Sequence, residues 1–188
     1  QKLHALARVS NYMSAEKLKL IMNAFFDSQF SYCPLIWMNH SRTMNNKINK
    51  LHERALRLVY KNQDQDFEEL LTKNGSFSVH HKNLQKLATE MYKILNDYSP
   101  RISKMIFQMS ENMYDLRNKN PFKLPKVSSV NNGIETIYYR GPKTWDLVPN
   151  NIETSKNLSE FKIKIKKWKP EGCKCRVCKN YLCNLGFL

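Results

Sequence analysis

The sequence lacks a long apolar run. Its longest apolar stretch, residues 21–38, is interrupted at short intervals by polar side chains. A membrane-spanning helix needs about 20 predominantly apolar residues, so we expect no transmembrane segment and no membrane partner. The opening residues show no charged segment followed by an apolar one, so no signal peptide is expected. Because the first residue is Gln1, we expect the chain to begin inside a longer protein.

The sequence is also poor in acidic residues and contains no Asp-Asp pair. Metal-dependent nucleotidyl transfer needs clustered carboxylates that hold two metal ions about 4 Å apart. The acidic residues that do cluster, within residues 64–69, lie at a loop and helix start, where the helix dipole favours them. The histidines have no Cys or carboxylate at ligand spacing, the Ser and Cys residues lie in no nucleophile elbow, and no P-loop is present. We therefore expect no enzymatic activity from this chain alone.

Positive charge is what the chain has in excess. Lysine and arginine total 31 against 16 aspartate and glutamate, so the net charge is 31 − 16 = +15, and a hydrophobic content of 41% suffices for a core. A cationic protein attracts nucleic acid because each neutralised phosphate releases counterions, and the same field attracts an anionic membrane surface. Charge alone does not choose between the two.

The five cysteines are unevenly placed, with Cys33 alone and four crowded near the end. This differs from the dispersed pairs of a secreted disulfide scaffold, so we expect an intracellular, cytoplasmic or nuclear protein. Four thiolates can complete a zinc site, but the spacing here does not form two separated C-x₂₋₄-C knuckles. We favour free thiols and no cofactor, with a small zinc-binding module as the alternative. Its ligands would be Cys173, Cys175, Cys178 and Cys183.

Apolar residues at helical spacing predict helices over residues 14–29, 43–61 and 84–95, with a short one over residues 66–73. Ser14 and Ser78 are candidate caps, and Asn74-Gly75 is a stop signal. Because proline is tolerated only in the first turn of a helix, a new element is expected to start near Pro34.

The clearest predicted helix, residues 43–61, combines an apolar face with a basic one. The apolar face consists of Met44, Ile48, Leu51, Ala55 and Leu58. The basic residues step by three and four positions and are predicted to lie beside that face: Lys47, Lys50, Arg54, Arg57 and Lys61. Cations at one-turn intervals can follow nucleic-acid phosphates, although most charge runs are solvated helix faces.

The residue pattern is no longer helical after residue 118. The turn dipeptide Asn132-Gly133, followed by residues 134–139, predicts a β-hairpin. The next four residues, 140–143, are interpreted as a tight turn, with Arg140 and Lys143 as weaker phosphate contacts. The predicted fold is mainly α: a helical bundle (residues 1–110), a β-hairpin segment (111–150), a C-terminal helix (151–170) and a Cys-rich tail (171–188).

Several stretches are distinctive as strings and nearly collinear. They are residues 30–38 (FSYCPLIWM), 40–43 (HSRT), 45–49 (NNKIN), 51–60 (LHERALRLVY), 114–117 (YDLR), 141–149 (GPKTWDLVP), 158–162 (LSEFK) and 168–179 (WKPEGCKCRVCK). Together they resemble the region that follows the reverse transcriptase domain in jockey-like non-LTR (LINE) retrotransposons. The resemblance covers essentially the whole chain.

That resemblance implies the thumb and C-terminal extension of an RNA-directed DNA polymerase. Its partners would be an RNA or RNA–DNA template–primer duplex and the upstream palm domain, bound without sequence preference. The family's aromatic-Ala-Asp-Asp motif has no counterpart here, so no catalytic residue is carried over. Related tails often lack a fourth cysteine, which makes Cys183 a departure from the pattern. The alternative is an orphan transposon relic with no selected function.

Overall fold

The structure is a computed structural model that describes residues 2–62, 64–109, 121–127, 133 and 136–170. Its regular structure is mainly helical, which confirms the predicted fold class. The chain divides into two compact units, Gln1–Lys82 and Asn83–Leu188, each with its own hydrophobic cluster. The predicted segment boundaries at residues 110, 150 and 170 stay a prediction.

The helices follow one another through short connections. The first unit contains α1 (Lys2–Ser10), α2 (Ala15–Met22), a π-helical turn (Asn23–Asp27), α3 (Ser28–Ser31), α4 (Pro34–Trp37), α5 (Arg42–Tyr60) and α6 (Phe67–Asn74). Helix α7 (Val79–Leu95) starts in the first unit and continues into the second. The second unit also contains α8 (Arg101–Ile106), α9 (Ile137–Trp145), α10 (Asn150–Glu153) and α11 (Leu158–Ile165).

Local signals in the sequence account for several helix ends. Pro34 occupies the first turn of α4, where its missing N–H leaves no helical bond unmade. Gly75 ends α6 in the left-handed conformation, with φ of 63°, which glycine adopts without a side-chain clash. The Ser78 hydroxyl accepts a hydrogen bond from the His81 N–H at 3.3 Å, so Ser78 caps α7 as predicted.

The core of the first unit forms around α5, which packs against α1, α2 and α6. Its fully buried side chains include Leu18 and Met22 from α2 and Leu56 from α5. Full burial of a side chain of this size contributes about 1.5–3 kcal/mol. Tertiary packing of α5 therefore holds it in a fixed rotation about its own axis.

The core of the second unit centres on a stack of three aromatic rings. The Tyr92 and Phe161 ring centroids lie 4.1 Å apart, and Phe161 and Trp145 lie 6.1 Å apart. The Tyr92 hydroxyl donates a hydrogen bond to the Ser155 carbonyl at 2.7 Å, which satisfies its buried polar end. These contacts join α7, α9 and α11.

The predicted β-strand over residues 134–139 is wrong where the structure describes it, because residues 137–139 begin helix α9. Ile137, Tyr138 and Tyr139 favour a strand locally. The buried residues that follow, Gly141 and Trp145, recur at helical spacing and pack into the core of the second unit, and this packing overrides the local preference. Residues 132, 134 and 135 lie outside the described residues.

The helix predicted near the C-terminus is confirmed at Leu158–Ile165, where Phe161 and Ile165 are buried one turn apart. The Asn157 side chain caps it by accepting a hydrogen bond from the Glu160 N–H at 2.8 Å. The structure adds the short helix α10 before it. The predicted Cys-rich tail, residues 171–188, lies outside the described residues.

Candidate nucleic-acid interface

Helix α5 positions the predicted row of basic residues, here called the α5 stripe: Lys47, Lys50, Arg54, Arg57 and Lys61. It begins after Ser41, whose hydroxyl accepts a hydrogen bond from the Met44 N–H at 3.4 Å. Six of its side chains are buried against the core of the first unit. They are Asn45, Ile48, His52, Ala55, Leu56 and Val59.

The buried face of α5 differs from the one predicted from the apolar residues. Met44 and Leu51, which were expected in the core, are 48% and 44% exposed. At about 100° per residue, the buried set is rotated by roughly 70° from the predicted set. The α5 stripe therefore lies almost opposite the core, and the prediction that it lies directly beside the buried face is wrong. The reason is that Asn45 and His52, although polar, are packed inward.

Four cations of the α5 stripe are exposed: Lys47, Lys50, Arg54 and Lys61. None of them forms an ion pair with another described residue. Such cations repel one another and attract polyanions, because no carboxylate in the described part of the chain pairs with them.

The fifth cation of the stripe is already paired. The Arg57 guanidinium forms an ion pair with Glu53, one turn earlier, with an N···O distance of 2.6 Å. Its side chain is 38% exposed. Arg57 is thus partly neutralised, and the unpaired charge that the stripe has within α5 lies at Lys47, Lys50 and Arg54.

Lys61 follows the last helical residue in the left-handed conformation, with φ of 51°. That conformation costs a non-glycine residue roughly 1–2 kcal/mol. We expect Lys61→Gly to stabilise the first unit by roughly 0.5–1 kcal/mol after the entropy of glycine in the unfolded chain is subtracted.

Urea unfolding measures this change, and Lys61→Ala is the matched control because it removes the same charge and keeps the strained conformation. If both variants have equal stability, the strain is absent. If Lys61 contacts phosphate, both variants lose the same affinity for nucleic acid, so stability and binding separate cleanly.

The weaker candidates, Arg140 and Lys143, lie on α9 in the second unit. Their prediction as part of a tight turn is wrong, because residues 140–143 form the interior of a helix. Gly141 allows close packing there: a Cβ atom would lie 2.8 Å from the Met91 sulfur. Lys143 is exposed, whereas Arg140 is only 5% exposed, so burial limits what the Arg140 guanidinium can offer to a ligand at the surface.

A further group of exposed cations was not predicted from the sequence. Exposed lysines follow Phe161 on α11 and in the turn after it: Lys162, Lys166, Lys167 and Lys169. Isoleucine and lysine alternate over residues 163–166, which is a pattern typical of a strand. This pattern obscures the positions that the four lysines take on a helix. In the sequence, Phe161, Ile165 and Trp168 recur at helical spacing, and in the structure they are buried. This spacing defines one buried face and leaves the lysines to the exposed faces.

The predicted metal ligands, residues 173–183, lie outside the described residues. Within the described part of the chain, no group of three or more His, Cys, Asp or Glu residues is arranged to hold a metal ion. None of the helices described there is long and apolar enough to span a bilayer.

Comparison of the chain with protein-family models, with curated proteins and with solved structures found no match.

Proposed function

We propose that this chain binds the phosphate backbone of nucleic acid through the α5 stripe, without reading sequence. The observation that carries the proposal is the outward face of α5, where exposed cations that pair with no described carboxylate lie almost opposite the core. Rigid packing of the buried face keeps these cations in one row.

The spacing of the row suits a nucleic-acid strand. Lys47 and Arg54 are seven residues apart, which corresponds to about 10.5 Å along the helix axis. One strand of a duplex presents a phosphate about every 3.4 Å along its axis, so this length faces about three phosphates. Lys47, Lys50 and Arg54 supply three cations over the same distance.

Such contacts fix register on a duplex and carry no sequence information, because every phosphate is alike. This behaviour suits the thumb of a polymerase, which must hold any template and primer. We propose that the chain is the thumb and C-terminal extension of a jockey-like LINE reverse transcriptase, that its ligand is an RNA or RNA–DNA template–primer duplex, and that chemistry belongs to the upstream palm domain. The resemblance of the quoted segments supports this assignment.

Charge reversal at the centre of the stripe tests the proposal. We expect Lys50→Glu combined with Arg54→Glu to weaken binding to a fluorescent RNA–DNA hybrid duplex by more than tenfold at low salt. The plot of log affinity against log salt should become shallower by about 2, because two phosphate contacts are removed. Fluorescence anisotropy over about 50–200 mM salt gives both quantities.

The matched control reverses two exposed cations outside the stripe, Arg8 and Lys17, which changes the net charge equally. We expect this control to lower affinity only slightly and to leave the slope nearly unchanged. Equal losses of affinity in the two variants would mean that net charge alone explains the binding and that the stripe has no special role. An affinity of the native chain that does not change with salt would exclude phosphate contact altogether, as expected of a relic fragment without function.

A further inference from the structure

The second unit carries its own concentration of positive charge near the end of the described chain. Residues 154–170 contain six lysines and one glutamate. We call the four exposed members that surround the end of α11 the C-terminal lysine surface: Lys162, Lys166, Lys167 and Lys169.

This surface is held on a rigid support. Phe161, Ile165 and Trp168, spaced four and three residues apart, are all buried in the core of the second unit. The Gln85 side chain of α7 donates a hydrogen bond to the Trp168 carbonyl at 2.7 Å, so the turn after α11 is tied to the unit as well. Cations on such a support need little reordering when they bind a ligand.

The one acidic side chain in the segment is already engaged. Glu160 forms an ion pair with Lys164 at 2.7 Å and accepts a hydrogen bond from the Lys156 backbone N–H at 3.0 Å. Lys164 also donates to the Asn151 carbonyl at 3.0 Å. By contrast, no described carboxylate lies within ion-pair distance of the four lysines of the surface.

The apolar residues around these lysines narrow the choice of ligand. A helix that binds a bilayer surface must bury a broad apolar face in it. The apolar face of α11 is already used in the core, and Ile163, which is 63% exposed, is the only apolar side chain that α11 leaves largely outside. Protein interfaces are rich in aromatic residues and poor in lysine at their centres, which does not describe this surface. A polyphosphate is the partner whose chemistry it matches.

We propose that the C-terminal lysine surface is a second binding site for the phosphate backbone of nucleic acid, separate from the α5 stripe. Each unit then has its own phosphate-binding surface, and each contributes its own share of the counterion release. The site reads no bases, because lysine ammonium groups provide point charges without the planar donor pair that recognises guanine.

The test replaces all four lysines of the surface with glutamine in the full chain. With a fluorescent RNA–DNA hybrid duplex as probe, we expect the slope of log affinity against log salt to become shallower by about 3, because most of the four lysines lose a phosphate contact worth about 0.9 each. Affinity at low salt should fall by more than tenfold. Circular dichroism checks that the fold is retained.

The matched control removes the same charge from other exposed or half-exposed lysines of the second unit. It combines Lys93→Gln, Lys104→Gln, Lys123→Gln and Lys126→Gln. We expect the control to keep a slope close to that of the native chain. If the control and the test variant lose the same slope, net charge explains the binding and the proposed site is wrong.

Two further outcomes are decisive. Loss of binding to anionic phosphatidylserine vesicles, with binding to the duplex unchanged, would overturn the proposal in favour of a membrane. The double variant at Lys50 and Arg54 keeps the two sites distinct, since each set of substitutions is measured alone. If the α5 variant binds the duplex normally and the lysine variant does not, the proposed function of α5 is wrong and the proposal for the C-terminal lysine surface is supported. If the lysine variant binds normally and the α5 variant does not, the proposal for the C-terminal lysine surface is wrong and the function of α5 is supported.

Discussion

Replacement of Phe161 by alanine is expected to destabilise the second unit by about 3–5 kcal/mol, the usual cost of removing a buried aromatic ring. Phe161 is fully buried and lies between Tyr92 and Trp145 in the aromatic stack. The substitution removes both ring contacts and leaves a cavity, because the surrounding structure relaxes only partially around a truncated side chain.

Urea unfolding followed by tryptophan fluorescence measures this loss, since Trp145 and Trp168 lie in the same cluster. Ile163→Ala is the matched control. Ile163 lies two residues further along α11 and is 63% exposed, so its truncation should change the free energy of unfolding by no more than about 0.5 kcal/mol. A loss below about 1 kcal/mol for Phe161→Ala would show that α11 is not packed as described.

The positions of the helices in the first unit were largely predictable, because they depend on local signals. Pro34, Gly75 and Ser78 act through backbone geometry or a neighbouring N–H, and the sequence alone shows what they do. The four unpaired cations of the α5 stripe are exposed as their charge implies, since burial of an unpaired cation is costly.

The rotation of α5 was not predictable from its own residues. His52 is buried because Phe26 and Phe67, from other helices, place their rings against it. Nothing within residues 42–60 indicates that these partners exist. The same holds for α9: position 141 has no room for a side chain because Met91, 50 positions earlier in the chain, lies against it.

Acid is expected to destabilise the first unit through His52. The imidazole is fully buried, with its ring centroid 4.9 Å from that of Phe26 and 5.6 Å from that of Phe67. The pKa of His52 is lowered from 6.5 to about 4, chiefly by burial and also by the nearby Lys82 ammonium, while the Asp27 carboxylate, which pairs with Lys82 at 3.1 Å, acts in the opposite direction. Between these two pKa values, His52 is therefore neutral in the folded chain and protonated in the unfolded chain.

The direction in which stability changes with pH follows from the pKa of His52 in the unfolded and folded states. Above pH 6.5 the imidazole is neutral in both states, so its full contribution to stability is present. Between pH 6.5 and about 4 the unfolded chain binds a proton and the folded chain does not, and stability falls by about 1.4 kcal/mol per pH unit. The whole loss is about 3 kcal/mol, and it can be measured as the free energy of unfolding in urea at successive pH values.

His52→Leu isolates this effect from the other groups that titrate in the same range. Neither ring nitrogen of His52 has a hydrogen-bond partner among the described residues, so an apolar side chain of similar size leaves no partner unsatisfied. We expect the variant to be at least as stable at pH 7 and to lose less stability on acidification, by about 3 kcal/mol at pH 4. His4→Leu, at an exposed position, should follow the native profile. Parallel profiles for the native chain and His52→Leu would mean that His52 is protonated in the folded state, and that its burial between the two phenylalanine rings is incomplete in solution.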